Sequence, residues 1–402
     1  MPLDTGDTSF MLVATALVMI MTPGLAFFYG GLVSRKNVLA IMMQSYVSMG
    51  VSTILWVAVG YSLCFSGDVG GIIGNLDMAF LRGIEPTDLF GGADGTIPLL
   101  LFVAYQMMFA IITPALITGA FANRITFKAY LIFLVAWQIL VYYPFVHMIW
   151  GGGMLADWGV LDFAGGIVVH ALAGMAALAS VIYVGKRRVE DAGAHNVPFV
   201  AIGAALLWFG WFGFNAGSEL AVDEVTAVAF INTQIAAAFA AITWLLLAWL
   251  YDGKPSFVEM LIGMIAGLAT ITPAAGFVSP QSAMLIGVAA GAVCYFAVVF
   301  RKKKGLDDAL DVWGVHGVGG ALGIIMLGVL ASESIGGQNG LYHGNQDFFL
   351  VQLAGLALAC VWAFVFTYGM LMMIDMITPV RVTDEAEAAL DVTLHGESAY
   401  ID

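Results

Sequence analysis

Apolar runs of roughly 20 residues recur from one end of the chain to the other, separated by short polar or Gly/Pro-rich breaks. They fall near 9–31, 39–66, 97–121, 129–149, 163–185, 198–216, 225–251, 256–276, 282–300, 312–331 and 348–376, and predict eleven transmembrane helices. Without water in a bilayer core the backbone must satisfy its own hydrogen bonds, so such runs read as helices. A transmembrane β-barrel would show short alternating segments with a polar lumen face, which this sequence lacks. The pattern predicts an all-α polytopic membrane protein, with a transmembrane domain over 1–376 and a polar tail over 377–402. The first run is no cleavable signal, because residues 1–34 contain neither Lys nor Arg.

Composition agrees. Of the 402 residues 61% are apolar and only 10% charged, against about a quarter charged in a typical soluble domain. A soluble enzyme and a disordered chain are excluded. The net charge of −14 leaves no basic face, so no nucleic-acid partner is expected. Cys64, Cys294 and Cys360 all lie in apolar runs, where they read as small packed hydrophobes rather than a disulfide framework.

Basic residues set the orientation. Arg35, Lys36, Arg124, Lys128, Lys186, Arg187, Arg188, Lys254, Arg301, Lys302, Lys303, Lys304 and Arg381 fall on one side, and only Arg82 on the other. By the positive-inside rule the N-terminus lies outside and the tail inside, as an odd number of spans requires. The 28 acids divide evenly, leaving the outer face about −13 and the inner about −1. An acidic mouth concentrates cations, though surface acids also simply solubilise loops.

Five spans (9–185), five more (198–331) and one left over (348–376) suggest an inverted repeat, a plan recurrent among transporters. The fifth span contains Val169-His170 with Gly174 after it, and the tenth Val315-His316 with Gly320. Each is preceded by an acid, Asp162 or Asp311. A His within a span faces a bundle interior or a cavity, where it either joins two helices by a hydrogen bond or handles protons or substrate. A metal site would need further ligands, and no Cys or carboxylate stands on the same turns. No metal or cofactor is expected. Trp150 and the cluster Trp208, Trp211, Phe212 and Phe214 read either as an interfacial belt or as a cation–π site for a small ammonium ion.

Five stretches together resemble the ammonium transporter family, the Amt arm of the Amt/Mep/Rh superfamily. They are Asp162-Phe163-Ala164-Gly165-Gly166-Ile167-Val168-Val169-His170; Pro23-Gly24 through Phe28-Tyr29-Gly30-Gly31 with Arg35-Lys36-Asn37; and His147-Met148-Ile149-Trp150-Gly151-Gly152-Gly153. The others are Trp211-Phe212-Gly213-Phe214-Asn215-Ala216-Gly217-Ser218 and Asp311-Val312-Trp313-Gly314-Val315-His316-Gly317. They span nearly the whole chain in family order. The resemblance implies a multi-pass plasma-membrane homotrimer, not an enzyme, with one narrow pore per subunit and nitrogen uptake as its task. Trp150 and Ser218, with Phe109 beside them, look like the outer recruitment site, and Asp162 like the family's acid near it. Phe109 and Phe214 look like the stacked gate, and His170 and His316 like the twin pair of the lumen.

The implied chemistry is recruitment of ammonium, deprotonation near the gate and passage of ammonia. A dry lumen imposes an idealised cost of order 20 kcal/mol on a bare ion; loss of a proton removes it, and potassium has no such route. In the family the tail packs under neighbouring subunits and helps P-II type signalling proteins block the pore. Arg381-Val382 and Gly396-Glu397-Ser398-Ala399-Tyr400 look similar here, while Pro379 stands where the family pattern has Gly. Proline fixes φ and removes a donor, so a Gly-dependent bend is not copied. A sensor that binds ammonium without conducting it is the alternative; the ending resembles a family terminus with no signalling domain following, which favours a transporter.

Overall fold

Polar side chains mark where the apolar runs become helices. The computed structural model describes residues 3–189 and 193–400. It opens α1 (Thr5–Leu32) on the Asp4 carboxylate, which accepts from the Gly6 and Asp7 amides. Next come α2 (Val38–Phe65), α3 (Leu99–Ile117), α4 (Phe127–Asp157), α5 (Gly166–Val184) and α6 (Val197–Glu219). The second half holds α7 (Glu224–Asp252), α8 (Phe257–Ile271), α9 (Pro280–Lys304), α10 (Trp313–Leu330) and α11 (Gln346–Asp375). Thr126, Asn196, Asp223, Ser256, Ser279 and Asn345 cap six of these helices by the same device.

Among the described residues, ten helices are long and apolar enough to cross a membrane. The helix expected over 256–276 is shorter: α8 has 15 residues, and the chain then turns through 272–279. Asn232 holds that turn by donating to the Ala275 and Val278 carbonyls at 2.9 and 2.8 Å. The fifth helix begins at Gly166 rather than 163, for a reason that lies in Asp162 and is given below. The described residues include no β-sheet, only three isolated bridges. Glu190, Asp191 and Asp402, three of the inner acids, lie outside the described residues.

Small residues set the packing. A Cβ on Gly203 of α6 would stand 2.2 Å from the Phe28 amide nitrogen of α1, so the two backbones touch there. The first turns of α5 pack on the body of α10 and those of α10 on the body of α5, so the two run in opposite directions. At their crossing a Cβ on Gly174 would lie 2.0 Å from the Gly317 Cα.

Four helices carry a π-helical turn: Trp56–Gly60 in α2, Gln138–Tyr142 in α4, Gly166–Ala171 in α5 and Trp313–Gly317 in α10. Such turns hold one residue more than the α-helix requires and recur at functional sites. Two of the four contain the intramembrane histidines.

The tail folds against its own chain as α12 (Asp384–Glu387) and α13 (Leu390–His395). Arg381 donates to the Lys186 carbonyl at 2.7 Å and to Glu387 at 2.9 Å. The buried Asp391 carboxylate accepts from the Leu39 and Ala40 amides at the head of α2. Pro379 does not detach the segment, since Thr126 donates to its carbonyl at 2.7 Å.

Candidate functional site

Trp150, Asp162 and Ser218 line one vestibule, with about 510 Å³ open to water, together with Phe163, Glu219 and Phe277. Trp150 ends an α-helical stretch and donates its indole N–H to the Asp162 carbonyl at 2.8 Å. Ser218 donates to the Phe214 carbonyl at 2.8 Å. Tyr105, 3.2 Å away, has its own hydroxyl directed at the Gly213 and Phe214 carbonyls. The Ser218 oxygen has acceptor capacity and shares the vestibule with the Trp150 indole. An indole face and an acceptor oxygen at one mouth suit a small cation with N–H groups. Glu219 adds a carboxylate there that the sequence reading passed over, although it adjoins a quoted motif.

Phe109 connects this mouth to the interior. Its ring meets Trp150 edge-on at 6.0 Å and lies 4.3 Å from Phe214, centroid to centroid. Both phenylalanines are buried. Beneath the pair His170 stacks on Phe214, Trp211 and His316 at 6.0, 5.5 and 5.2 Å. The histidines line a cavity with Leu25, Phe28, Tyr29 and Ile265, with only about 20 Å³ open to water. That is room for roughly one water-sized molecule. Trp211 belongs to this lumen and not to an interfacial belt: it is buried and donates to Thr272 at 2.9 Å.

Asp162 serves the site through the backbone. Its two oxygens accept from the Gly165, Gly166, Ile167 and Val168 amides at 2.6–3.1 Å, which starts α5 at Gly166 and so aims His170. Burial pushes its carboxyl up from the usual range while the four amides pull the other way. The acid that matches it before His316 is Asp308, not Asp311. Asp308 accepts from the Val312 and Trp313 amides at 3.1 and 2.7 Å. Each capping Asp precedes its His by eight residues. Three residues after the Asp, the backbone turns left-handed, at Gly165 (φ 118°) and at Asp311 (φ 59°). Asp311 instead pairs with Arg301.

No group of three or more His, Cys, Asp or Glu among the described residues gathers as metal ligands do. A wide mouth that sets a Ser and two carboxylates among apolar and aromatic side chains, a stacked aromatic pair and a narrow apolar cavity carrying two histidines define a membrane transport protein for a small solute. The chain belongs to the Ammonium Transporter Family, whose model matches residues 9–400. It is 46% identical to the ammonium transporter of Bacillus subtilis (strain 168), with the whole of each chain covered. It is 43% identical to ammonium transporter Amt1 of Archaeoglobus fulgidus, over 99% of this chain and 100% of that one. Among solved structures, Saccharomyces cerevisiae Mep2 superposes with a TM-score of 0.90 at 32% identity, covering 100% of this chain and 94% of that one. A protein titled Sensor Amt Protein superposes at 0.89 with 28% identity, over 97% and 98% of the two chains.

Proposed function

We propose that the protein takes up ammonium across the plasma membrane by separating the ion from a proton at the aromatic constriction. Ammonium binds between Trp150 and Ser218, loses a proton at the Phe109–Phe214 gate, and ammonia passes His170 and His316 to the cytoplasm. Asp162 positions the recruitment site rather than touching the cargo.

The observation that carries this reading is the narrow cavity that His170 and His316 line beside Phe214, with about 20 Å³ open to water and otherwise almost wholly apolar side chains. Such a space rejects a bare cation on solvation grounds yet admits a neutral molecule of water's size. The proposal includes an eleven-span topology, with the tail inside and α8 as the short span. The matched caps of Asp162 and Asp308, on helices running in opposite directions, support an inverted repeat of 9–185 and 198–331. Homotrimer assembly and a P-II type partner at the tail face complete the proposal; both rest on the family resemblance.

The test is current from proteoliposomes after an ammonium jump, with potassium as control and a pH dye inside. Ammonium current without potassium current establishes selective electrogenic transport. Dye response without current means neutral ammonia passage. Binding with neither signal favours the sensor, a reading that the likeness to Sensor Amt Protein keeps in play.

A further inference from the structure

His147 sits one helical turn before Trp150 and has no exposed surface. Its Nδ1 lies 2.9 Å from the Cys64 carbonyl, and its Nε2 lies 2.9 Å from the Asp68 carboxylate. A carbonyl and an ionised carboxylate are acceptors only. A neutral imidazole has one N–H and cannot satisfy both, so this geometry holds one proton more than a neutral His and a carboxylate supply. The Asp68 side chain is half-exposed, at 52%, which lets it stay ionised and leaves the extra proton on the ring.

The pair ties the loop after α2 to the end of the helix that presents the indole. The Asp68 carboxylate also accepts from the Gly71 amide at 2.8 Å, and the Gly71 carbonyl accepts from Met154 at 2.8 Å. The His147 carbonyl in turn accepts from the Gly151 and Gly153 amides, which close the turn after Trp150. A Cβ on Gly151 would stand 2.0 Å from the Cys64 carbonyl, so the clasped segments touch. Other titratable groups gathered at this turn are the Cys64 thiol and the Tyr61, Tyr142 and Tyr143 phenols; Asp68 is the one carboxylate paired with the ring. The hydrogen bond from the His147 ring holds the Asp68 carboxyl below its usual range.

We propose that Asp68 and His147 form a proton-holding clasp that positions Trp150, so that the affinity of the outer mouth for ammonium follows external pH. The proposal rests on Trp150 being the recruitment site. At low outer pH the ring is an imidazolium and donates to both acceptors. As pH rises the proton leaves, one of the two hydrogen bonds is lost, and the loop and the indole loosen together. His147 and Asp68 are positioning residues; neither touches the cargo.

Asp68→Asn separates this from a merely structural role. Asn keeps the shape but not the charge: the Asp68 oxygen that faces Nε2 also accepts from the Gly71 amide, so a neutral amide in its place no longer holds the extra proton on the ring. The half-saturating concentration, counted as ammonium ion, is measured in proteoliposomes between about pH 5 and 8.5 outside. Wild type is expected to weaken about threefold or more across that range, Asp68→Asn to stay flat, and Asp68→Ala to be weak throughout. In parallel, nitrogen NMR of histidine-labelled protein should show that Asp68→Asn removes one imidazolium signal present in wild type. An Asp68→Asn profile that tracks wild type, or no imidazolium lost, overturns the clasp. If Trp150→Ala leaves the half-saturating concentration unchanged, the recruitment reading fails instead, and the imidazolium signal still decides whether the clasp exists.

Discussion

His170 and His316 face each other through their Nδ1 atoms, 3.3 Å apart, so one ring must donate and the other accept. The His170 Nε2 has no hydrogen-bond partner among the described residues, and its ring lines the narrow cavity beside Phe214. The pair thus supplies polar stations in a passage that is otherwise apolar.

Removing one station widens the passage and leaves the other ring unpaired. His170→Ala should lower the preference for ammonium over potassium by about tenfold, the worth of one to two hydrogen bonds. Current in proteoliposomes after equal jumps of the two ions reads this directly. Unchanged selectivity would remove the histidines from the mechanism.

At the vestibule, Trp150→Ala deletes the indole face beside the Ser218 oxygen. A cation–π contact is worth about 0.5–2 kcal/mol, so half-saturating ammonium should rise about 2- to 30-fold with maximal rate less affected. Initial rates over a concentration series separate the two quantities.

Gly174 has no room for a methyl group. Gly174→Ala would drive its Cβ into the Gly317 backbone, at 2.0 Å, and part α5 from α10. Loss of folded protein is expected by size-exclusion chromatography in detergent. Gly50→Ala is the control: nothing lies within 4 Å of its Cβ position, and an Ala in a helix stabilises it by about 1 kcal/mol.

Asp308 links stability to pH. Burial, with Asp311 adding to it, pushes its carboxyl up to about 6 from 3.8, against Arg301 and two amide donors. The folded state therefore binds the proton more tightly than the unfolded chain does. Stability is highest below the unfolded value and falls as pH rises through about 6, by about 3 kcal/mol in all. Thermal unfolding between pH 4 and 7 should show that slope in wild type and a shallower one in Asp308→Asn. Equal slopes would show that Asp308 does not carry the linkage.

Most of the fold was legible because a bilayer demands long apolar runs; Trp150, Ser218, Phe214, His170 and His316 stand in specific motifs, whereas Phe109 lies in none of them and was reached only through the resemblance. The structure gathers all six along one line from mouth to lumen. Hydropathy missed what does not depend on apolar length. Asp308 was passed over for Asp311 because Asp311 is nearer the histidine, whereas the shared eight-residue interval would have found it. The short α8 was overdrawn because Pro273-Ala274-Ala275-Gly276 is apolar although it turns. Trp211 stays open between an interfacial belt and a cation–π site in the sequence, because an indole in a lumen and one in a belt read alike.

The π-helical turns at Gly166–Ala171 and Trp313–Gly317 carry a consequence for register. Each admits one surplus residue, and in an α-helix one residue is a rotation of about 100°. Deleting a single residue from either turn, with every other side chain kept, would swing its histidine off the axis while the rest of that helix kept its lipid and protein faces. The bearing of each imidazole thus depends on how many residues its turn holds as well as on the Asp162 or Asp308 cap that starts the helix.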